Sequence, residues 1–224
     1  GSVPRIGMVS PRLNTKKLRN RSKSTNLCPN TRRISPILSP RGIPSSFVGS
    51  LQESLLSGNL QGTKSSILNG FSATVCATSP HLGGSPARLK IPFDTMHYHL
   101  EDFNKTPYAG SIYLPKERYR IAKNGTLQVA ILNPSGTLVK LFLVRYDLSS
   151  MKPNSKTFIR QITRNSDPPH VLQYAVQFTI ICTKRGRLYL YKNIRVVFPH
   201  RKPDDLDKLE VICQSPDTPQ YFQG

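Results

Sequence analysis

Residues 125–147 constrain the fold of this chain more than any other stretch. Leu127, Val129 and Ile131 alternate with Thr126, Gln128 and Ala130, the period of two that marks a half-buried strand. After Asn133-Pro134-Ser135-Gly136 comes a second apolar arm. Leu138, Phe142, Val144 and Tyr146 lie on one of its faces and Val139, Leu141 and Leu143 on the other, with only Lys140 and Arg145 interrupting. Asn at the first turn position, Pro at the second and Gly at the fourth suit a type I turn. The stretch therefore predicts a β-hairpin, covered on both faces of its second arm and central to the core. No catalytic motif sits on it.

The same alternation recurs along the chain. Phe71, Ala73, Val75 and Ala77 read as a strand, as do Leu89, Ile91 and Phe93, where Pro92 predicts an edge or a bulge. Short strands are expected over 109–114 and 157–162, with Tyr119 and Ile121 leading into the hairpin. Residues 173–182 and 187–198 form a second hairpin about Thr183-Lys184-Arg185-Gly186, with a bulge near Asn193. About eight strands at this spacing, with no helical pattern between them, predict an all-β fold: an antiparallel, immunoglobulin-like β-sandwich.

One short helix is expected before the strands. Ser50-Leu51-Gln52-Glu53 reads as a capping box, Leu51, Leu55 and Leu56 share a face, and Gly58 stops it. A helix of about two turns does not persist alone. Its leucines must dock, either over the edge or end of the β-domain or in the groove of a partner protein.

Charge indicates the partners. With 32 Lys and Arg against 12 Asp and Glu, the net charge is +20, which points to polyanions, with DNA or chromatin first and an anionic membrane second. No apolar run approaches the ~18 residues that cross a bilayer, and of the two polyanions DNA or chromatin, not a membrane, is the expected partner. Residues 1–46 contain no acid and much Ser and Pro, a composition that predicts a disordered basic arm. Within it, Lys16, Lys17, Arg19 and Arg21 have the composition of a nuclear localisation patch, and Ser10-Pro11-Arg12 and Ser39-Pro40-Arg41 resemble basic minor-groove-binding arms. Ser10, Ser35 and Ser39 each precede a proline and are candidate phosphorylation sites, where phosphate would offset local charge. The β-domain is expected over 47–200. Residues 201–224, with Asp204, Asp205, Asp207 and Glu210, form an acidic tail expected to pack on basic surface, with Leu209, Val211 and Ile212 as a final edge strand.

Within the domain, Arg160, Arg164, Lys184, Arg185, Arg187 and Arg195 fall in or beside the last strands, with Tyr189 and Tyr191 among them. Cations of this kind contact phosphates and tyrosines offer stacking surfaces. The plainer reading is that exposed strand faces carry such residues for solubility and β propensity.

Motifs for chemistry are missing. Cys28, Cys76, Cys182 and Cys213 are scattered without a Cys-x-x-Cys pair, which suits a reducing compartment and no zinc ribbon. His97 and His99 share a strand face without an evident third ligand, so no metal site is assigned. No phosphate-binding loop, nucleophile elbow or paired acid–base dyad is visible. The sequence predicts a non-enzyme without cofactor or small-molecule substrate. The Gly1-Ser2 start reads as a cloning remnant and implies a longer parent protein.

Several pieces, in this order and spacing, resemble a known family. They are Val48-Gly49-Ser50-Leu51-Gln52-Glu53-Ser54-Leu55-Leu56-Ser57-Gly58, Pro107-Tyr108-Ala109-Gly110-Ser111-Ile112, the hairpin 125–148, Thr157-Phe158-Ile159-Arg160-Gln161, Gly186-Arg187-Leu188-Tyr189-Leu190 and Ile194-Arg195-Val196-Val197-Phe198. From Phe47 to Phe222 the chain is similar to the C-terminal region of Atossa (Atos-like) proteins. That region pairs a domain of unknown function with a segment named for meiotic chromosome segregation. The resemblance implies a nuclear regulator of transcription or chromosome behaviour, and supplies no catalytic residues.

Overall fold

The computed structural model describes residues 31–34, 46–57, 60, 65–80, 87–99, 107–168, 170–203, 208–216 and 220–221. Alternating sequences become strands there: β1 (Thr31–Ile34), β2 (Ser65–Thr78), β3 (Leu89–Tyr98), β4 (Pro107–Ile121), β5 (Asn124–Leu132) and β6 (Leu138–Asp147). They continue as β7 (Ser155–Asn165), β8 (Leu172–Cys182), β9 (Leu188–Pro199), β10 (Leu209–Pro216) and β11 (Gln220–Tyr221), with one helix, α1 (Ser46–Ser57).

The strands form one continuous sheet in the order β1-β10-β7-β8-β9-β4-β3-β2-β5-β6, with β11 beside β7. All pairings are antiparallel except β1 with β10. The all-β, antiparallel expectation holds, but the described strands form one sheet and not the two of an immunoglobulin-like sandwich. A single sheet with an apolar face must bury that face against something, and here it curls upon itself. Phe71, Val75, Leu127, Val129, Phe142, Val144, Phe178, Leu190 and Phe198 meet in one core contributed by strands from β2 to β9. The last strand of the path, β6, comes round to face β7 and β8. Gln161 Nε2 donates to the Leu143 carbonyl at 3.1 Å, and Lys140 Nζ stands 4.3 Å from the centre of the Tyr174 ring. The result is nearly a barrel, closed at this seam through side chains.

Both hairpins close as their residues dictate. Gly136 N donates to Asn133 O at 2.9 Å and Gly186 N to Thr183 O at 2.9 Å, each with a positive glycine φ of 80° and 71°. The Asn133 side chain adds a bond from Thr137 N at 2.8 Å. Turn chemistry here is local, and the sequence carries it fully.

Elsewhere the structure corrects the expectation. The first hairpin belongs to the core, yet β6 ends the sheet path and is not covered on both faces: Leu141, opposite in facing to Phe142, is 45% exposed, and Leu138 at the start of the strand is 55% exposed. Lys140 is accommodated by the Tyr174 ring, and burial lowers its pKa. Pro92 lies in an interior strand; β3 meets β4 only at Thr95, Met96 and His97, so the missing N–H falls where β3 has one neighbour. The short strand 109–114 and the Tyr119–Ile121 lead are one strand, β4, interrupted by a bulge between Tyr113 and Arg118 where Lys116 and Glu117 both have φ 54°. The helix begins at Ser46, so Ser50 is internal and the capping box is not formed there; Glu53 is bonded to Arg160 instead. Thr31–Ile34, within the basic arm, pairs in parallel with β10, and β10 lies between β1 and β7.

Candidate nucleic-acid interface

The outer face of the sheet is divided into two halves by what covers it. Cross-strand register sets one apolar row, Ile212–Ile162–Ala175–Val197–Ala109–Met96, across β10, β7, β8, β9, β4 and β3. Leu55 and Leu56 of α1 bury themselves on it, 4% and 3% exposed. Of the candidate docking leucines, these two are spent on the chain's own sheet, and the Leu51 side chain lies outside the described residues. A partner would have to displace Leu55 and Leu56 to use them.

The next row is polar: Gln214–Arg160–Gln177–Arg195–Ser111. Arg160 is buried and committed. Its Nε and Nη2 donate to Gln177 Oε1 at 2.8 and 2.6 Å, Nη2 to Glu53 Oε2 at 3.1 Å, and Nη1 to Glu53 Oε1. Its guanidinium also stands 5.3 Å from the Phe158 ring centre. Arg160 thus ties α1 to the sheet, and its donors are directed at Glu53 and Gln177 rather than at solvent. Arg164 similarly donates to Glu210 at 2.5 Å, with both side chains part-exposed. Arg195 is half-buried in the same polar row.

Beyond the bulges no described element covers the outer face. Here the row reads Lys156–Ile181–Tyr189–Arg120, with Arg118 opposite Tyr191. The β8–β9 turn adds Lys184, Arg185 and Arg187, all exposed. A shallow depression of about 360 Å³ is lined by Arg118, Asn154, Ile181, Thr183, Lys184, Arg185, Arg187 and Tyr189. Among the described residues that line it there is no carboxylate, and Arg118, Arg185 and Arg187 bring positive charge to its rim. Of the cations expected from sequence, the structure gathers Lys184, Arg185 and Arg187 with Tyr189 and sets Tyr191 beside them. Arg118, Arg120 and Lys156 were not singled out; their membership depends on β4 continuing through its bulge and on the β7–β8 register. Lys16, Lys17, Arg19 and Arg21 and the candidate phosphorylation sites Ser10, Ser35 and Ser39 lie outside the described residues.

His97 and His99 lie at the opposite end of the strands with a third imidazole, His200. Ring centres are 4.5 Å apart for His97–His99 and 5.5 Å for His97–His200. Tyr108 hydrogen-bonds to His200 Nδ1. Burial first, then the neighbouring His99 and His200, hold His97 below its ordinary pKa. Among the described residues no group of three His, Cys, Asp or Glu is arranged to hold a metal.

A family model described as "Chromosome segregation during meiosis" matches residues 171–224, and one described as a domain of unknown function, DUF4210, matches residues 47–114. The chain is 32% identical over 202 residues to human Atos homolog protein A and 31% identical over 201 residues to its Xenopus tropicalis counterpart, in each case over 79% of this chain. The chain belongs to the Atos family. It is also 29% identical over 205 residues to human Atos homolog protein B, over 84% of this chain. These alignments span only 18%, 21% and 37% of human A, Xenopus A and human B respectively. No solved structure matches the chain. In this Atos chain the chromosome-segregation match contains β8, β9 and β10, and with them the basic turn. The DUF4210 match contains α1 from residue 47, β2, β3 and the first half of β4. Arg118 and Asn154 of the depression come from the stretch between the two matches.

Proposed function

We propose that this Atos chain is a non-enzymatic nuclear module, acting in transcription or meiotic chromosome segregation by binding DNA through the open outer face of β4, β8 and β9. The observation that carries the reading is the depression ringed by Arg118, Lys184, Arg185 and Arg187, with no carboxylate among the described residues that line it. Its fit is to phosphates, since guanidinium and ammonium groups contact the backbone without reading sequence. The chromosome-segregation match over residues 171–224, which includes that turn, supports the same direction. The basic arm, with Lys16, Lys17, Arg19 and Arg21, adds charge and an address to the nucleus. A salt titration of DNA binding tests the reading. Micromolar binding at low salt, falling steeply and linearly in log–log form, is expected; no binding at low salt would refute it.

A second observation favours a protein-interaction scaffold. Beside α1 a groove of about 460 Å³ is lined by Leu55, Leu56, Ile67, Met96 and Tyr113, with Asp94 in its wall. Ile67 is 65% and Tyr113 69% exposed, apolar surface of the kind that interfaces cover. On this reading DNA does not bind and the arm serves localisation alone.

A further inference from the structure

The nucleic-acid reading says nothing about strandedness, but the register across β4, β8 and β9 does. Tyr189 and Tyr191 are two residues apart on the outer face of β9, so their Cα atoms are about 7 Å apart. Each has an arginine directly opposite on β4: Arg120 faces Tyr189 and Arg118 faces Tyr191, at the ~5 Å separation of antiparallel partners. The pattern is thus an aromatic–cation pair, repeated once along the strand. Both tyrosines are half-buried, so their rings are held by neighbours before any ligand arrives. Lys192 Nζ lies 5.4 Å from the Tyr191 ring centre, bringing a further cation to the same ring. Ile181 gives the depression a buried apolar floor at the level of Tyr189.

Such a face offers little to a duplex beyond its phosphates. Entry into the major groove requires a helix or a two-stranded ribbon, and the β8–β9 hairpin is not a free ribbon. β7 flanks it as far as Ser155 opposite Cys182, and β4 as far as Ile121 opposite Leu188, the last paired residues before the turn. Bases stacked inside a duplex cannot reach Tyr189 or Tyr191. Unpaired bases can, and every base has a π-face to stack. The alternation of ring and cation then meets the alternation of base and phosphate.

We propose that the outer face of β4, β8 and β9 is a platform for unpaired nucleic acid, with bases stacked on Tyr189 and Tyr191 and phosphates held by Arg118, Arg120 and the Lys184–Arg187 turn. This rests on the nucleic-acid reading above and narrows its ligand. The same chemistry serves single-stranded DNA and single-stranded RNA; the 2′-hydroxyl separates them.

Fluorescence anisotropy on the 224-residue chain tests it, using fluorescein-labelled oligonucleotides of equal length and matched sequence: single-stranded DNA, single-stranded RNA and blunt duplex DNA. Either single strand is expected to bind at least about tenfold more tightly than duplex, and the preferred strand identifies the source. Changing both Tyr189→Leu and Tyr191→Leu, which keeps apolar bulk on the strand, is expected to weaken single-strand binding about tenfold per ring and duplex binding far less. The Tyr189→Phe, Tyr191→Phe pair keeps the rings and is expected to bind like the parent, which controls for folding. Equal affinity for duplex and single strands, or equal loss for both in the leucine pair, would overturn the platform while leaving phosphate binding intact. Absence of binding to all three would overturn the underlying reading as well.

Discussion

Arg160 on β7 holds Glu53 on α1 across 107 residues of sequence, donating from both Nη atoms to the two carboxylate oxygens. The two ends of this pair are unequal: the Arg160 side chain is 8% exposed and that of Glu53 62%. Arg160 also carries two bonds to Gln177 and lies against Phe158. Replacing Glu53 with Gln removes a charge that water already screens, and is expected to cost under about 1 kcal/mol. Replacing Arg160 with Ala removes the whole buried cluster and is expected to cost about 2–3 kcal/mol. Urea unfolding of both variants checks the asymmetry; equal losses would contradict the placement of Arg160 as the buried anchor.

Gly125 and Gly136 frame the first hairpin and predict opposite kinds of damage. A Cβ on Gly125 would stand 2.2 Å from the Thr78 carbonyl oxygen, a backbone atom that cannot rotate away. A Cβ on Gly136 would meet nothing within 4 Å, and only its φ of +80° opposes substitution. Gly136→Ala is therefore expected to cost roughly 1–2 kcal/mol, and Gly125→Ala more than that, because β2 and β5 must separate to admit it. Thermal melts of the two variants rank them.

The histidine cluster predicts an acid sensitivity of the fold. Burial, with His99 and His200 nearby, lowers the His97 pKa from its ordinary value of 6.5, while Tyr108 packs against the same ring. An imidazole with a lowered folded pKa takes its proton more readily in the unfolded chain, and stability rises with pH wherever the unfolded state binds more protons. The fold is thus expected to lose stability as pH falls below about 6.5, the loss ending below the folded pKa. Urea midpoints measured between pH 7.5 and 5.5 should decline for the parent and flatten in His97→Gln. An identical decline in the variant would place the sensitivity elsewhere.

What was legible in the sequence is what is local. Asn133-Pro134-Ser135-Gly136 and Thr183-Lys184-Arg185-Gly186 specify their own turns, and the alternation of Val129 with Gln128 or Phe178 with Gln177 specifies a buried face. Sheet order is not local, and neither the single curled sheet nor the seam between Gln161 and Leu143 can be read from period-two patterns. Pro115-Lys116-Glu117 hides the continuity of β4, since nothing apolar marks the bulge. Arg118 and Arg120 therefore carry no signal in the sequence, and register alone sets them opposite Tyr191 and Tyr189. The commitment of Arg160 to Glu53 is hidden for the same reason: its partner is remote in sequence and lies on α1.

The most direct test of the account is the salt dependence of nucleic-acid binding after the turn is neutralised. Lys184, Arg185 and Arg187 are exposed and line the depression, so Lys184→Gln, Arg185→Gln and Arg187→Gln together should leave the fold intact, as far-UV circular dichroism can verify. If the three contact phosphates, the slope of log binding constant against log salt becomes shallower by about two units for a single strand, and affinity at low salt falls at least about tenfold. An unchanged slope and affinity in the folded variant would contradict the claim that this face is where the chain meets nucleic acid.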